Sequence, residues 1–286
     1  MGIRTPVRAG PLPTFLIAGA MKAGTTSFAA WLSGHPDVYV APVKEIHFFD
    51  SPINFQRGEA WYRSNFAGAA GEGAIGEATP GYMAHARAVQ RIAETLPNVR
   101  LITLLRHPVD RAFSQYIHRR ELGQEKRTFE DAIEHDLANP DELGLGRYVA
   151  RGRYHEQLTR LESVFGRDAI LPLLFDDFAV DPTGPYADAC RFIGVDPSVS
   201  PPGLGHVHNP RPRLRSHMVH RVARRAPGAV ARSLERWNNR SSLPYTPLAG
   251  TTRNRLIETF RPDIEALQAW LGRDLSAWLD PDPDHR

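Results

Sequence analysis

The sequence predicts an α/β fold, in which a mostly parallel β-sheet is covered by helices on both faces. Short apolar runs alternate along the chain with segments of helical periodicity, as in consecutive strand–helix–strand units. Apolar residues make up 42% and charged residues 23% of the 286 positions, which is typical of a globular protein with a sizeable core. We therefore expect one domain over residues 1–286, with flexible ends at residues 1–13 and 281–286.

Four short, largely apolar runs are predicted to form strands. Continuous apolar character is expected where a parallel strand is buried on both faces, and the run that ends before Arg106 is also rich in β-branched residues. A further segment, Val38–Phe49, is predicted to be extended and aromatic. The predicted strands are Thr14–Ala20, Ala74–Thr79, Val99–Leu105 and Ala169–Phe175.

Helical spacing of apolar residues predicts the helices between these strands. Pro108 stands where the first turn of a helix tolerates proline, and Gly194 stands where a helix ends. The predicted helices are Thr25–Leu32, Ala86–Leu96, Val109–Leu122, Tyr148–Phe165 and Tyr186–Ile193. We also expect an arginine-rich, mostly helical C-terminal segment.

Several classes of protein are excluded by the apolar runs and by the cysteine count. The longest clean apolar run, around Phe15–Ala20, is far shorter than the roughly 20 residues that a membrane helix needs. The first 13 residues lack the apolar core of a secretory signal. Cys190 is the single cysteine, so an internal disulfide framework is excluded and a cytoplasmic location is expected.

Basic residues are unevenly distributed along the chain. Only Lys22, Lys44 and Lys126 are lysines among 35 basic residues, and this preference for arginine suggests a bacterial coding bias. Residues 211–240 carry nine arginines and one acid, Glu235, although the net charge of the whole chain is only +3. Such a local basic face favours an anionic ligand over binding of nucleic acid in bulk.

A glycine-rich loop, Gly19–Thr26, joins the first predicted strand to the first predicted helix. Backbone N–H groups of such a loop can converge on one anion, and the helix dipole favours negative charge there. In the familiar nucleotide-binding loop a lysine follows the second glycine, but here Thr25 follows Gly24 and the lysine, Lys22, comes earlier. The strongest predicted strand ends in Arg106 where an acid could have held magnesium. The alternative is a strand–helix turn without chemistry.

Four segments together resemble the sulfotransferases that use 3′-phosphoadenosine-5′-phosphosulfate (PAPS), in particular a bacterial branch akin to the heparan-sulfate sulfotransferases. They are FLIAGAMKAGTTSFAAWLSGHPDV at 15–38, KEIHFFD at 44–50, IGEATPGYM at 75–83 and LLRHPVDRAFSQY at 104–116. Looser matches at 152–158, 170–178 and 260–279 extend the resemblance over nearly the whole chain. It implies a P-loop-like fold and transfer of a sulfuryl group to a hydroxyl or amine of a small-molecule or saccharide acceptor, with release of 3′-phosphoadenosine-5′-phosphate (PAP).

The resemblance also implies which residues bind the donor. The loop would bind the 5′-phosphosulfate, an arginine and a serine near the next strand would bind the 3′-phosphate, and later residues would close over the nucleotide. The alternative for the last group, within 206–215, is a solvated basic linker. The implied donor-binding residues are Lys22, Ala23, Gly24, Thr25, Thr26, Arg106, Ser114, Tyr154, Asn209 and Arg213. Lys22 would also neutralise charge on the leaving phosphate.

The segment at 44–50 matches the place where the heparan-sulfate branch carries its catalytic carboxylate. Glu45 is therefore the candidate general base, which would take the proton of the attacking acceptor. His47, two residues along an extended stretch, would face the same side and either orient Glu45 or share its proton. The alternative is a surface ion pair between Glu45 and Lys44, with His47 an ordinary loop histidine.

The chain departs from the resembling family at one position. The eukaryotic 3-O branch has a functional lysine after the glutamate of its GEATP-like segment, and here this residue is Ala78. The difference weighs against a glycosaminoglycan acceptor and leaves open whether Lys44 supplies the cation. Glu77 either faces the acceptor or braces the loop, and Phe48 and Phe49 are expected in the core.

Two alternative functions remain open from the sequence. One is a P-loop kinase. Two features argue against it: no lysine follows Gly24, and Arg106 stands where a metal-binding acid could be. The other is a non-catalytic nucleotide- or polyanion-binding module that uses the basic face at 211–240. The remaining histidines have no metal-ligand spacing, so no metal site is predicted. The sequence does not predict the acceptor or the oligomeric state.

Overall fold

The computed structural model describes residues 9–139, 146–206 and 248–281. The chain divides into two compact units, each formed by two stretches of sequence. The first unit comprises Met1–His107 and Tyr154–His208, and the second comprises Pro108–Arg153 and Asn209–Arg286. The expectation of a single domain stays a prediction. The arginine-rich segment at 211–240 and both expected flexible ends, apart from residues 9–13 and 281, lie outside the described residues.

The first unit is built on a five-stranded parallel sheet, which confirms the predicted α/β class. The strands lie in the order β2-β3-β1-β4-β5, so the order reverses at β1. In parallel sheets, ligands bind beyond the carboxyl ends of the strands at such a reversal. The strands are β1 Phe15–Gly19, β2 Val38–Val40, β3 Ala74–Ala78, β4 Arg100–Leu105 and β5 Ile170–Leu174.

The four predicted strands are present, with ends that differ by one residue or so from the prediction. Val38–Phe49 as one extended segment is wrong, because the strand ends at Val40. The N–H of Ala41 still donates to the carbonyl of Gly76, but Pro42 comes next and has no N–H for the ladder. The chain then forms an irregular loop over residues 41–51.

Ten α-helices lie within the described residues. Five were predicted, and the helix ending at Gly194 is confirmed, with this glycine in the left-handed conformation at φ 84°. The predicted helix Tyr148–Phe165 begins only at Tyr154, because Arg153 has a non-helical ψ of 80° after a 3₁₀ turn at Ala150–Gly152. The helices are α1 Thr25–Leu32, α2 Pro52–Phe55, α3 Gly58–Ser64, α4 Ala86–Thr95, α5 Pro108–Glu121, α6 Phe129–Ala138, α7 Tyr154–Phe165, α8 Phe175–Val180, α9 Thr183–Ile193 and α10 Gly250–Leu271.

The core of the first unit surrounds the central strand. All five residues of β1 are buried, and Gly76 of β3 permits the close approach of Phe15. A Cβ at position 76 would lie 2.4 Å from the Phe15 ring, so only glycine fits there. Close packing of β1 against β3 and β4 fixes where the loop after β1 leaves the sheet.

The second unit is helical in its described part. In it α5 packs against α10 and against the 3₁₀ turn at Ala150–Gly152. The guanidinium of Arg111, which is fully buried, donates to Gln115 at 2.7 Å and to the carbonyl of Tyr148. Hydrogen bonds of this kind compensate for burial of the charge. No helix in the described ranges is long and apolar enough to cross a membrane.

Candidate active site

The loop between β1 and α1 has the form of an anion-binding site. Gly24 has a φ of 87°, and a Cβ there would lie 3.0 Å from the Phe175 ring, so the position requires glycine. Lys22 is also left-handed, with φ 73°, which is uncommon for a residue other than glycine. Within the described residues no side chain caps α1, and its first turn carries no acid. Its first N–H groups therefore suit an anionic ligand.

Arg106 lies beside this loop at the carboxyl end of β4. Its Nη1 donates to the carbonyl of Lys22 at 3.3 Å, and its guanidinium lies 5.0 Å from the centre of the Phe175 ring. The carbonyl of Arg106 accepts a hydrogen bond of 2.8 Å from the hydroxyl of Tyr154, the first residue of α7. The structure therefore brings together Lys22, Arg106 and Tyr154, which the sequence places far apart.

The sequence analysis did not single out Phe175, although it contacts both Gly24 and Arg106. It begins α8 directly after β5, and residues that follow a parallel strand are common ligand contacts. Its position at the end of the predicted strand Ala169–Phe175 could have indicated a residue of the site. The aromatic ring lies against Gly24, and the guanidinium of Arg106 lies over its face.

The other predicted donor-binding residues have more varied locations. Ala23 and Thr25 are buried, whereas Thr26 is half-buried in the first turn of α1. Ser114 is a buried residue of α5, in the second unit. Two predicted residues lie outside the described part of the chain: Asn209 and Arg213.

The loop after β2 carries a cluster of charged side chains centred on His47. Its Nε2 lies 3.2 Å from a carboxylate oxygen of Glu45, and its Nδ1 lies 3.0 Å from a carboxylate oxygen of Asp50. His47 has a φ of 51°, so the stretch is not extended as predicted, yet the expected contact with Glu45 is present. Asp50 was not predicted as a functional residue, although it ends the KEIHFFD segment on which the resemblance depends.

The two carboxylates determine the protonation of His47. Its hydrogen bonds to Asp50 and then to Glu45 raise the pKa of His47 to about 10, so the ring is an imidazolium at neutral pH. Burial would raise the pKa of Glu45, but the hydrogen bond from His47 and the charges of Lys44 and His47 outweigh burial and lower it. Glu45 is therefore ionised, and the doubly engaged imidazolium suits an orienting role rather than proton sharing.

Lys44 connects this cluster to the loop that precedes α1. Its Nζ donates to the hydroxyl of Thr26, and it lies 4.0 Å from a carboxylate oxygen of Glu45. Burial lowers the pKa of Lys44, while the charge of Glu45 acts in the opposite direction. An ion pair between Lys44 and Glu45 was the alternative interpretation of this segment. The pair is present, between an exposed lysine and a partly exposed glutamate, and Lys44 also contacts Thr26 in the first turn of α1.

The aromatic pair that follows His47 belongs to the core, as predicted. Phe48 is 2% exposed and Phe49 is fully buried. Glu77 is also fully buried, which favours its bracing role over contact with an acceptor. Ala78, at the end of β3, is buried too.

No group of three or more potential metal-ligating side chains is arranged around a common point in the described ranges. The residues near the loop carry positive charge at Lys22, Lys44 and Arg106. Positive side chains suit an anion such as a phosphate and disfavour a divalent cation. That the reaction needs no metal stays a prediction.

Comparison with known proteins agrees with this site. The sulfotransferase domain family matches residues 12–218. A solved sulfotransferase from Alicyclobacillus acidocaldarius is 30% identical, with a TM-score of 0.74, and the match covers 94% of this chain and 100% of that one. The chain therefore belongs to the sulfotransferase domain family, and its fold is the P-loop-like fold of that family.

Two curated human relatives are similar over about two thirds of the chain. The bifunctional heparan sulfate N-deacetylase/N-sulfotransferase 2 of Homo sapiens is 31% identical over 198 residues, or 65% of this chain and 22% of the relative. The heparan sulfate glucosamine 3-O-sulfotransferase 6 of Homo sapiens is 31% identical over 195 residues, or 66% of this chain and 56% of the relative. The chain thus spans only part of the length of these relatives.

Proposed function

We propose that the protein transfers a sulfuryl group from PAPS to a hydroxyl or amine of a saccharide or small-molecule acceptor. The observation that carries the proposal is the contact of Lys44 with Thr26 and Glu45, because it places a candidate base beside a candidate phosphosulfate loop. The names of the two human relatives, which act on heparan sulfate, support a saccharide among the acceptor classes.

The residues around the loop fit the donor. Lys22, the first N–H groups of α1 and the hydroxyls of Thr25 and Thr26 would hold the 5′-phosphosulfate. Arg106 would bind the 3′-phosphate through paired hydrogen bonds, for which its planar fork is suited. We propose Ser114 as a second ligand of that phosphate and Tyr154, Asn209 and Arg213 as residues that close over the nucleotide. When bound, PAPS supplies an activated sulfuryl group.

On the acceptor side, Glu45 would take the proton of the attacking hydroxyl or amine. A bond then forms from the acceptor atom to sulfur, the bond from sulfur to the phosphate oxygen breaks, and PAP leaves with that electron pair. His47, held by Asp50, keeps the Glu45 carboxylate in place. Lys22 would neutralise the charge that grows on the leaving phosphate oxygen, and Lys44 places a second cation near the transferred group.

The direct test is incubation of the protein with labelled PAPS and a panel of saccharide, alcohol, phenol and amine acceptors. A product that gains the mass of one sulfuryl group supports the proposal. A non-catalytic binding module would bind PAP and give no such product with any acceptor.

Location in the cytoplasm and a bacterial origin stay predictions, which rest on the single cysteine and on the scarcity of lysine.

The nucleotide specificity of the site gives a first prediction. PAP should bind better than AMP or ATP, and Arg106→Ala should cost about 2–4 kcal/mol of PAP binding because the arginine would pair with the 3′-phosphate. Calorimetry with PAP and AMP measures both effects. Arg87→Ala, which removes an exposed arginine of α4, is the control. Equal affinity for the nucleotide with and without its 3′-phosphate would exclude this role.

Chelation gives a second prediction, directed at the kinase alternative. EDTA should leave turnover unchanged, because a sulfuryl group carries less charge than a phosphoryl group, and Lys22 with the backbone dipoles of α1 can stabilise its transfer. Initial rates are compared with and without EDTA and after addition of Mg²⁺. Activity that disappears on chelation and returns with Mg²⁺ would favour a kinase.

A further inference from the structure

A buried carboxylate lies directly behind the loop that carries Glu45 and His47. Glu77, at the end of β3, is fully buried and accepts three hydroxyl hydrogen bonds. Its Oε1 accepts from Tyr62 at 2.8 Å and from Tyr82 at 2.9 Å, and its Oε2 accepts from Thr79 at 2.6 Å. Burial raises the pKa of the Glu77 carboxyl, and the three hydroxyl donors act in the opposite direction without outweighing burial.

Two of the three hydroxyls also hold the backbone of the loop. The Thr79 hydroxyl accepts the N–H of His47 at 3.4 Å, and the Tyr82 hydroxyl accepts the N–H of Phe48 at 3.1 Å. Each hydroxyl therefore donates to Glu77 and accepts from the loop. Two parallel connections run from the Glu77 carboxylate to consecutive backbone amides.

The conformation of the loop shows why such support is needed. His47 has a φ of 51°, in the left-handed region that is unfavourable for residues other than glycine. Such a conformation persists where its surroundings impose it. The side-chain amide of Asn54 donates to the carbonyls of Ile46 and His47. Both N–H groups and carbonyl groups of this turn are therefore hydrogen-bonded to side chains.

We propose that Glu77 is a positioning residue, which acts through Thr79 and Tyr82 to hold the His47 ring between Glu45 and Asp50. Its effect on transfer rests on the proposed function of Glu45 as the base. Glu77 itself is fully buried, and in the described part of the chain its carboxylate accepts hydrogen bonds from Tyr62, Thr79 and Tyr82. Burial and the charge of Glu77 hold the pKa of Tyr82 well above its ordinary value, so its hydroxyl stays a donor to Glu77.

Tyr62 provides a matched control for Tyr82. Both side chains are fully buried and both donate to the same oxygen of Glu77 at nearly equal distances. The Tyr62 hydroxyl makes no hydrogen bond to the backbone at 46–48, and its ring stacks on Phe48 at 4.4 Å. Tyr62→Phe therefore removes one bond to Glu77 and retains the stacking, whereas Tyr82→Phe also removes the acceptor for the loop amide.

The experiment measures thermal stability and the NMR titration of the His47 imidazole in Tyr62→Phe, Tyr82→Phe, Thr79→Val and Thr79→Ser. The His47 signal is assigned by its loss in His47→Gln. Tyr62→Phe and Tyr82→Phe should lower the melting temperature by similar amounts. Tyr82→Phe and Thr79→Val should lower the His47 pKa, about 10 in the parent, by about one unit or more, because the ring leaves its carboxylates. Tyr62→Phe and Thr79→Ser should leave it near the parent value.

The transfer rate provides a second readout once an acceptor is known. Tyr82→Phe should lower kcat about tenfold to a hundredfold with unchanged PAP affinity, as expected when a reacting group is misplaced. Tyr62→Phe should leave kcat unchanged. The proposal is wrong if the His47 pKa stays constant in Tyr82→Phe and Thr79→Val, or if Tyr62→Phe lowers it equally. If one of these variants fails to fold, the other still decides the question.

The titration requires neither donor nor acceptor. Its failure would overturn the role of Glu77 and leave the proposed sulfuryl transfer intact. Conversely, absence of transfer to every acceptor, with the His47 pKa shifted as expected, would refute the proposed function and retain Glu77 as the support of this loop.

Discussion

Glu45→Gln should slow sulfuryl transfer by about 10²–10⁴-fold, the usual contribution of a positioned general base. Glutamine retains the shape of the side chain but cannot take the acceptor's proton. The nucleotide dissociation constant should change little, because Glu45 is proposed to act on the acceptor's proton in the transition state and not to bind the nucleotide. Single-turnover sulfation at saturating PAPS, together with direct PAP binding, separates the two effects.

The structure strengthens this prediction through the protonation states around Glu45. His47 is protonated at neutral pH in the parent, and its hydrogen bond to Asp50, the largest cause of its raised pKa, remains in Glu45→Gln, so His47 is poorly suited to replace the missing base. Glu94→Gln, an exposed glutamate in α4, is the control and should behave as the parent. If Glu45→Gln turns over within about threefold of the parent, well short of the general-base range, Glu45 is not the base.

The fold was predictable where burial determines the sequence pattern. β1 and β4 lie in the middle of a parallel sheet with helices around it, so both appear in the sequence as continuous apolar runs with nearly correct ends. The short helices α2 and α3 were missed, because few of their residues are buried and their apolar periodicity is weak. The loop at 41–51 was misjudged as extended because aromatic residues also favour strands.

The candidate site was predictable where one local motif carries it. The loop around Lys22 and the contact between Glu45 and His47 both follow from short sequence segments. The hydrogen bond from Tyr154 to Arg106 joins residues that are distant in sequence. The same holds for the hydroxyls of Thr79 and Tyr82, which connect Glu77 to the amides of His47 and Phe48. Periodicity carries no information on such contacts. Asp50 was not predicted because residues 47 and 50 would point to opposite faces of an extended chain. In the structure His47 has a left-handed φ and residues 48–50 form a turn.

Lys22→Ala should lower both the transfer rate and the affinity for the donor. The rate should fall by about 10²–10³-fold, the effect of removing one group that stabilises transition-state charge. PAPS should also bind more weakly, because the ground-state phosphosulfate is already anionic. This mixed defect distinguishes Lys22 from Glu45, for which a rate defect alone is expected, and the same single-turnover and binding assays measure it.

The geometry of the loop makes this substitution specific for the lysine charge. Arg106 donates to the backbone carbonyl of residue 22, so this contact does not depend on the side chain. Alanine has a left-handed preference as poor as that of lysine, so the backbone cost at φ 73° is similar in both. Lys22→Met, which keeps the aliphatic stem, should show the same defect, and Lys126→Ala, at an exposed position, should show none. Donor affinity and rate both equal to the parent in Lys22→Met would remove Lys22 from the site, whereas a loss of affinity alone would leave it a donor ligand with no part in the transfer step.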